Sequence, residues 1–152
     1  MYDYLLFAHI LLAIIWVGGG ATIQTIAARM RRDPDLTRLS YFGEKAGWVG
    51  QRVYLPASIL LLLAGIGMVM ESEAIGWGDP FIVVGLIGWT FSALVGSLYL
   101  GPTAEKLGKM VEEKGPGDPA IVGVMDRLFT VQRIELVVFL VVIFFMVIKP
   151  GS

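Results

Sequence analysis

The sequence predicts an all-α, polytopic membrane protein: an up-down four-helix transmembrane bundle with both termini outside. Three observations predict it. Mean hydropathy is +0.73, with 56% hydrophobic and 16% charged residues in a chain of 152, a balance that cannot wet the surface of a soluble domain. Four apolar runs, about 4–28, 53–70, 81–100 and 128–148, each approach the roughly 20 residues that cross a hydrocarbon core about 30 Å thick. Charge is one-sided: of the 12 Lys and Arg, six fall within 29–52 and five within 106–133, leaving Lys149 alone on the other side.

That asymmetry predicts an inner (plasma) membrane protein with loops 29–52 and 101–128 in the cytoplasm and the short acidic loop 71–79 outside. The apolar runs do not alternate as barrel strands do. The net charge of −1 gives no basic surface for nucleic acid. The chain has no cysteine, which excludes disulfides, thiolate ligands and a cysteine nucleophile. The first apolar run lacks a basic start and is too long for a cleavable signal, so it is expected to remain as a span.

In helix 1, His9, Ala13, Trp16, Gly20 and Gln24 fall on one stripe at helical spacing, and Leu6, Ile10, Ile14 and Val17 on another. The first stripe therefore faces protein. Asp33-Pro34 reads as a cap opening an amphipathic segment, 34–46, with Leu36, Leu39 and Phe42 on one edge; a short helix on the inner membrane surface is expected. Helix 2 carries Pro56 near its start, where a missing N–H is tolerated and Ser58 helps to satisfy the backbone. Helix 3 follows Asp79-Pro80 and shows Gly88, Ser92 and Gly96 at intervals of four, a small-residue ridge for close helix approach. Gly101-Pro102 is expected to close it. A second amphipathic segment, 103–113, leads to the breaker Gly115-Pro116-Gly117. Asp118-Pro119 caps the last helix, whose inward face reads Ile121, Met125, Leu128, Gln132, Glu135 and Phe139. The whole is one domain, with no internal repeat.

Counting depth along each span sorts the polar and soft residues into two layers. The outer one holds His9, Gly65, Gly85 and Ile143, with Met68, Met70 and Met146 nearer the surface. One imidazole among thioethers and side-chain-free positions can accept a flat cofactor or a soft metal ion; equally, His9 is a buried polar contact and the methionines are packing. The inner layer holds Gln24, Thr25, Arg52, Tyr54, Tyr99, Arg133 and Glu135. A carboxyl in a span is expensive, so Glu135 is expected to be protonated, to pair with Arg52 or Arg133, or to bond Tyr54 or Gln24. It serves either as a helix clamp or as a proton carrier or ligand anchor. Trp48 and Trp77 fall at the interfaces, whereas Trp16 and Trp89 lie at mid-depth, in core or pocket. Phosphate-loop, HExxH and GxSxG signatures are absent from the sequence.

Phe7-Ala8-His9-Ile10 through Trp16-Val17-Gly18, then Tyr54-Leu55-Pro56-Ala57 with Gly65, then Glu135 before an apolar run ending in Lys149-Pro150, resemble the superfamily of HemJ-type protoporphyrinogen oxidases and CopD copper-resistance proteins. The nearest likeness is to its uncharacterised small members. The resemblance implies haem b as cofactor with His9 as an iron ligand; in a haem-binding protein Met68, Met146 or the His9 of a second chain is then expected to supply the other ligand, and Trp16 at mid-depth to line the pocket. The oxidases carry a histidine-alanine-lysine element where this chain has Gly78-Asp79-Pro80-Phe81. The lost lysine argues against porphyrinogen oxidation and leaves oxidoreductase activity open. Two functions are expected to compete: a haem-binding protein with a redox or haem-related role, and a cofactor-free accessory subunit of a membrane complex or homo-oligomer assembled through Gly88, Ser92 and Gly96. Carriage of a lipid or small molecule on Glu135 and the inner arginines is a third.

Overall fold

The apolar runs fold into helices, and each rod is longer than its run. The computed structural model describes residues 1–32, 37–115 and 118–150, with the backbone alone for residues 37, 39–41, 43 and 44. It contains α1 (Tyr2–Ala13), α2 (Gly19–Met30), α3 (Thr37–Val49), α4 (Leu55–Glu71), α5 (Pro80–Val95), α6 (Gly101–Lys114) and α7 (Pro119–Ile148). Three π-helical turns, Ile14–Gly18, Gly50–Tyr54 and Gly96–Leu100, fuse α1 to α2, α3 to α4 and α5 to α6. Seven segments thus make four rods. The stretches apolar and long enough to cross a membrane measure 29, 27, 35 and 30 residues, about 40–50 Å each at the α-helical rise. The fold is a four-helix membrane bundle.

Two of the π turns explain how the rods survive their prolines. A proline lacks the N–H for the carbonyl four residues back, and its ring collides with that carbonyl. For Pro56 this is the carbonyl of Arg52, and for Pro102 that of Leu98; both lie inside a π turn, where the widened ladder carries the carbonyl away from the ring. Helix 3 therefore does not close at Gly101-Pro102, as expected, but runs on to Lys114. Ser58 Oγ donates to the Leu55 carbonyl at 2.9 Å, not to the carbonyl that Pro56 leaves open. No proline accounts for the turn at Ile14–Gly18.

The expectation of a helix lying on the membrane surface is likewise corrected. Residues 37–49 continue directly into α4 and pack against α6 and α2. The charged end of the bundle has its own apolar core: Ala27, Ile121 and Met125, surrounded by Met30, Phe42, Leu107, Met110, Val111 and Phe129. Ile121 has no exposed surface at all. Packing Phe42 of α3 and Leu107, Met110 and Val111 of α6 onto this core removes their apolar surface from water and stabilises both helices. The Asp33-Pro34 cap, Leu36, the Leu39 side chain and Pro116-Gly117 lie outside what is described.

Rods adjacent in sequence are adjacent in space. At the uncharged end α1 packs on α4 and α5 on α7; at the charged end α2, α3, α6 and α7 close the ring. Asp118 starts α7 by accepting from the Ala120 N–H at 2.7 Å, with Pro119 at the first helical position. Both chain ends sit at the same end of the bundle. The amino group of Met1 lies 3.6 Å from Glu71, and the Lys149 ammonium stands 5.2 Å from the centre of the Phe81 ring.

Candidate functional site

His9 is half-buried between α1 and α4. Its Nδ1 lies 3.0 Å from the Leu61 carbonyl; because a carbonyl only accepts, Nδ1 carries the proton and Nε2 keeps the lone pair. Gly65 makes the approach possible, since a methyl group there would stand 3.2 Å from Cε1 of the imidazole. Among the described residues Nε2 has no hydrogen-bond partner, and it is not sealed from the surface. A histidine held by Nδ1–H to a backbone carbonyl, with Nε2 left over, has the arrangement in which imidazoles coordinate metals. The stripe His9, Ala13, Trp16, Gly20, Gln24 is half-buried throughout, whereas Ile10 and Ile14 are 50% and 63% exposed.

The pairs α1/α4 and α5/α7 are joined by tryptophans. Trp16 packs on Phe139 with ring centres 4.8 Å apart, and Trp89 Nε1 donates to the Ser58 carbonyl at 3.0 Å. Trp16 is thus seven residues from His9, facing α7. Met68 is half-buried on α4, three residues beyond Gly65. Met146 sits on α7 with its terminal methyl in the space above Gly85, the counterpart of His9 over Gly65. As holders of a haem iron these residues fit in part: His9 offers a nitrogen in the required tautomer, while the Met146 thioether is engaged with α5.

The inner polar residues do not gather as expected. Glu135, 9% exposed, accepts a hydrogen bond from the Ser92 hydroxyl. Arg52 and Arg133 are exposed, and neither meets it. Tyr54 instead lays its ring and hydroxyl over Gly19, which explains one glycine of the 18–20 triplet, and Gln24 is half-buried elsewhere on α2. The Ser92 partner was legible in principle: Ser92 is 12 residues into its span from Pro80, and Glu135 is 13 from Ile148, the same depth.

Two of the three residues of the small-residue ridge are spent within the chain. Ser92 is buried on Glu135, and Gly88 is covered by Val142 and Val138 of α7. Gly88 and Ser92 therefore face α7 and not a second molecule, which corrects their expected use in assembly, whereas a methyl group at Gly96 would meet nothing within 4 Å. No group of three or more His, Asp or Glu stands ready for a metal ion among the described residues.

Four rods of membrane length, a tethered imidazole and a buried carboxyl–hydroxyl pair define a small multi-pass helical membrane protein. The chain belongs to the family described as predicted integral membrane protein (DUF2269), whose model matches residues 3–150. Comparison with curated proteins and with solved structures gives no match.

Proposed function

We propose that this is a haem-binding membrane protein in which His9 is an iron ligand for haem b. The observation that supports it most is the His9 tether to Leu61, which fixes the tautomer and leaves Nε2 for coordination. The resemblance of the Phe7–Gly18 and Tyr54–Ala57 stretches to HemJ-type and CopD proteins points the same way. When bound, haem supplies a one-electron couple. The chain's own part is to orient the imidazole through Leu61 and to make room for it at Gly65; Met68, Met146 or the His9 of a second copy would supply a second ligand. The Gly78–Phe81 stretch lacks the lysine element of the oxidases, so the role proposed is electron transfer or haem handling. The charge asymmetry supports an orientation in the plasma membrane with loops 29–52 and 101–128 in the cytoplasm.

Protein purified from haem-replete cells is expected to show a Soret band that His9→Ala abolishes and Met70→Leu leaves intact, Met70 being 76% exposed. A colourless preparation that haem cannot reconstitute overturns the reading. The snug seat of His9 over Gly65 favours a second one: a cofactor-free accessory subunit of a membrane complex or homo-oligomer, in which His9 only ties α1 to α4. His9→Gln then lowers thermal stability in detergent with no spectral counterpart.

A further inference from the structure

Beside the charged end, Tyr99, Asp126, Arg127, Thr130 and Val131 line an open groove of about 290 Å³, distinct from His9 and from Glu135. Its depth follows from two separate helices. The Phe81–Lys149 contact puts the start of α5 and the end of α7 at one level, where the apolar runs meet polar sequence. Tyr99 lies 18 residues from Phe81, and Thr130 and Arg127 lie 18 and 21 residues from Ile148. Those separations are about 27, 27 and 32 Å at the helical rise, against a hydrocarbon core about 30 Å thick. Both helices therefore bring the groove to the opposite membrane interface, the level of phospholipid head groups.

The charges in the groove do not cancel. Asp126 is engaged by Arg31 in an ion pair, whereas Arg127 has no hydrogen-bond or ion-pair partner among the described residues. Thr130 spends its hydroxyl proton on the Asp126 carbonyl at 2.8 Å, which leaves Arg127 as the cationic donor of the groove. Besides the Asp126–Arg31 pair and Thr130, the lining is one guanidinium, a tyrosine at interfacial depth and the apolar Val131. A guanidinium presents paired N–H donors that match phosphate oxygens, and basic pockets between spanning helices on the inner side hold anionic head groups. We propose that this groove binds the phosphodiester head group of an anionic phospholipid, with Arg127 on the phosphate and the first acyl carbons against Tyr99 and Val131.

The test is lipid retention by the whole protein in nanodiscs of phosphatidylcholine doped with phosphatidylglycerol, the annular lipid being counted by mass spectrometry after delipidation. Arg127→Gln is expected to lower phosphatidylglycerol retention about fivefold, the usual worth of one basic residue near an anionic surface. Lys106→Gln, an exposed cation outside the groove, is expected to leave it unchanged. Val131→Trp, which fills the groove and keeps the charge, is expected to act like Arg127→Gln, with unchanged elution and helicity in all three variants. Equal losses in Arg127→Gln and Lys106→Gln overturn the proposal in favour of general surface charge. Equal retention of phosphatidylcholine, or displacement of the lipid by inorganic phosphate alone, overturns it too.

Discussion

At the residue scale the bundle is decided by what each small side chain leaves room for. Gly88 faces Val142, a β-branched side chain with little rotamer freedom, whereas Gly85 faces the flexible end of Met146. Gly88→Ala is expected to cost about 1–3 kcal/mol through overpacking, and Gly85→Ala less than about 1; unfolding in mixed micelles ranks the two, and a reversed order refutes the packing described. Ser92→Ala removes a cross-helix donor and is expected to cost about 0.6–1.7 kcal/mol. Glu135→Gln keeps an acceptor for that hydroxyl and is expected to stay closer to the parent than Ser92→Ala, while Glu135→Leu does not. The sequence showed that Glu135 is inward and expensive, because its helical spacing from Met125, Leu128 and Phe139 requires it. It did not show the partner, because arginines attract attention by charge while a serine in a glycine ridge passes for a spacer.

At the element scale, spans were legible from hydropathy and their ends were not. Gly101-Pro102 reads as a stop in any local grammar, yet a π turn at Gly96–Leu100 absorbs the missing N–H, and α6 follows without a loop. Such a turn depends on backbone geometry over five residues and leaves no pattern of residue types. The amphipathic edges of α3 and α6 were visible, but periodicity says only that a face is buried, not whether lipid or protein covers it. α7 joins the two environments. Ile121, fully buried in the charged-end core, is expected to cost about 2–5 kcal/mol on truncation to alanine. Ile134, 52% exposed at bilayer depth, is expected to tolerate the same change because lipid replaces the lost contact. Chemical denaturation of the two variants decides the matter, and similar losses refute a core at the charged end. The Arg31–Asp126 pair adds little beside it, since both groups are more than a third exposed.

At the scale of the molecule, the four rods bring Met1, Glu71, Phe81 and Lys149 to one end and all but one of the lysines and arginines toward the other. With no native cysteine, the side each end occupies is open to direct labelling. Glu73→Cys is expected to react with a membrane-impermeant maleimide on intact spheroplasts, and Lys114→Cys only after permeabilisation. The opposite pattern inverts the topology and with it the placement of the lipid groove.

The rods differ in one respect that sets how the two ends communicate. The first three each contain a π turn, where a helix can flex; among the described residues α7 contains none. From Ile121 to Met146 it runs 25 residues without interruption. That makes α7 a lever with a sealed fulcrum. A tilt of about 5° about Ile121 carries Met146, about 38 Å away along the helix, sideways by about 3 Å, enough to lift its methyl off Gly85. Between those two points Glu135 is held by Ser92, Val142 covers Gly88 and Phe139 packs on Trp16, so a tilt of α7 has to break these contacts before Met146 can leave Gly85.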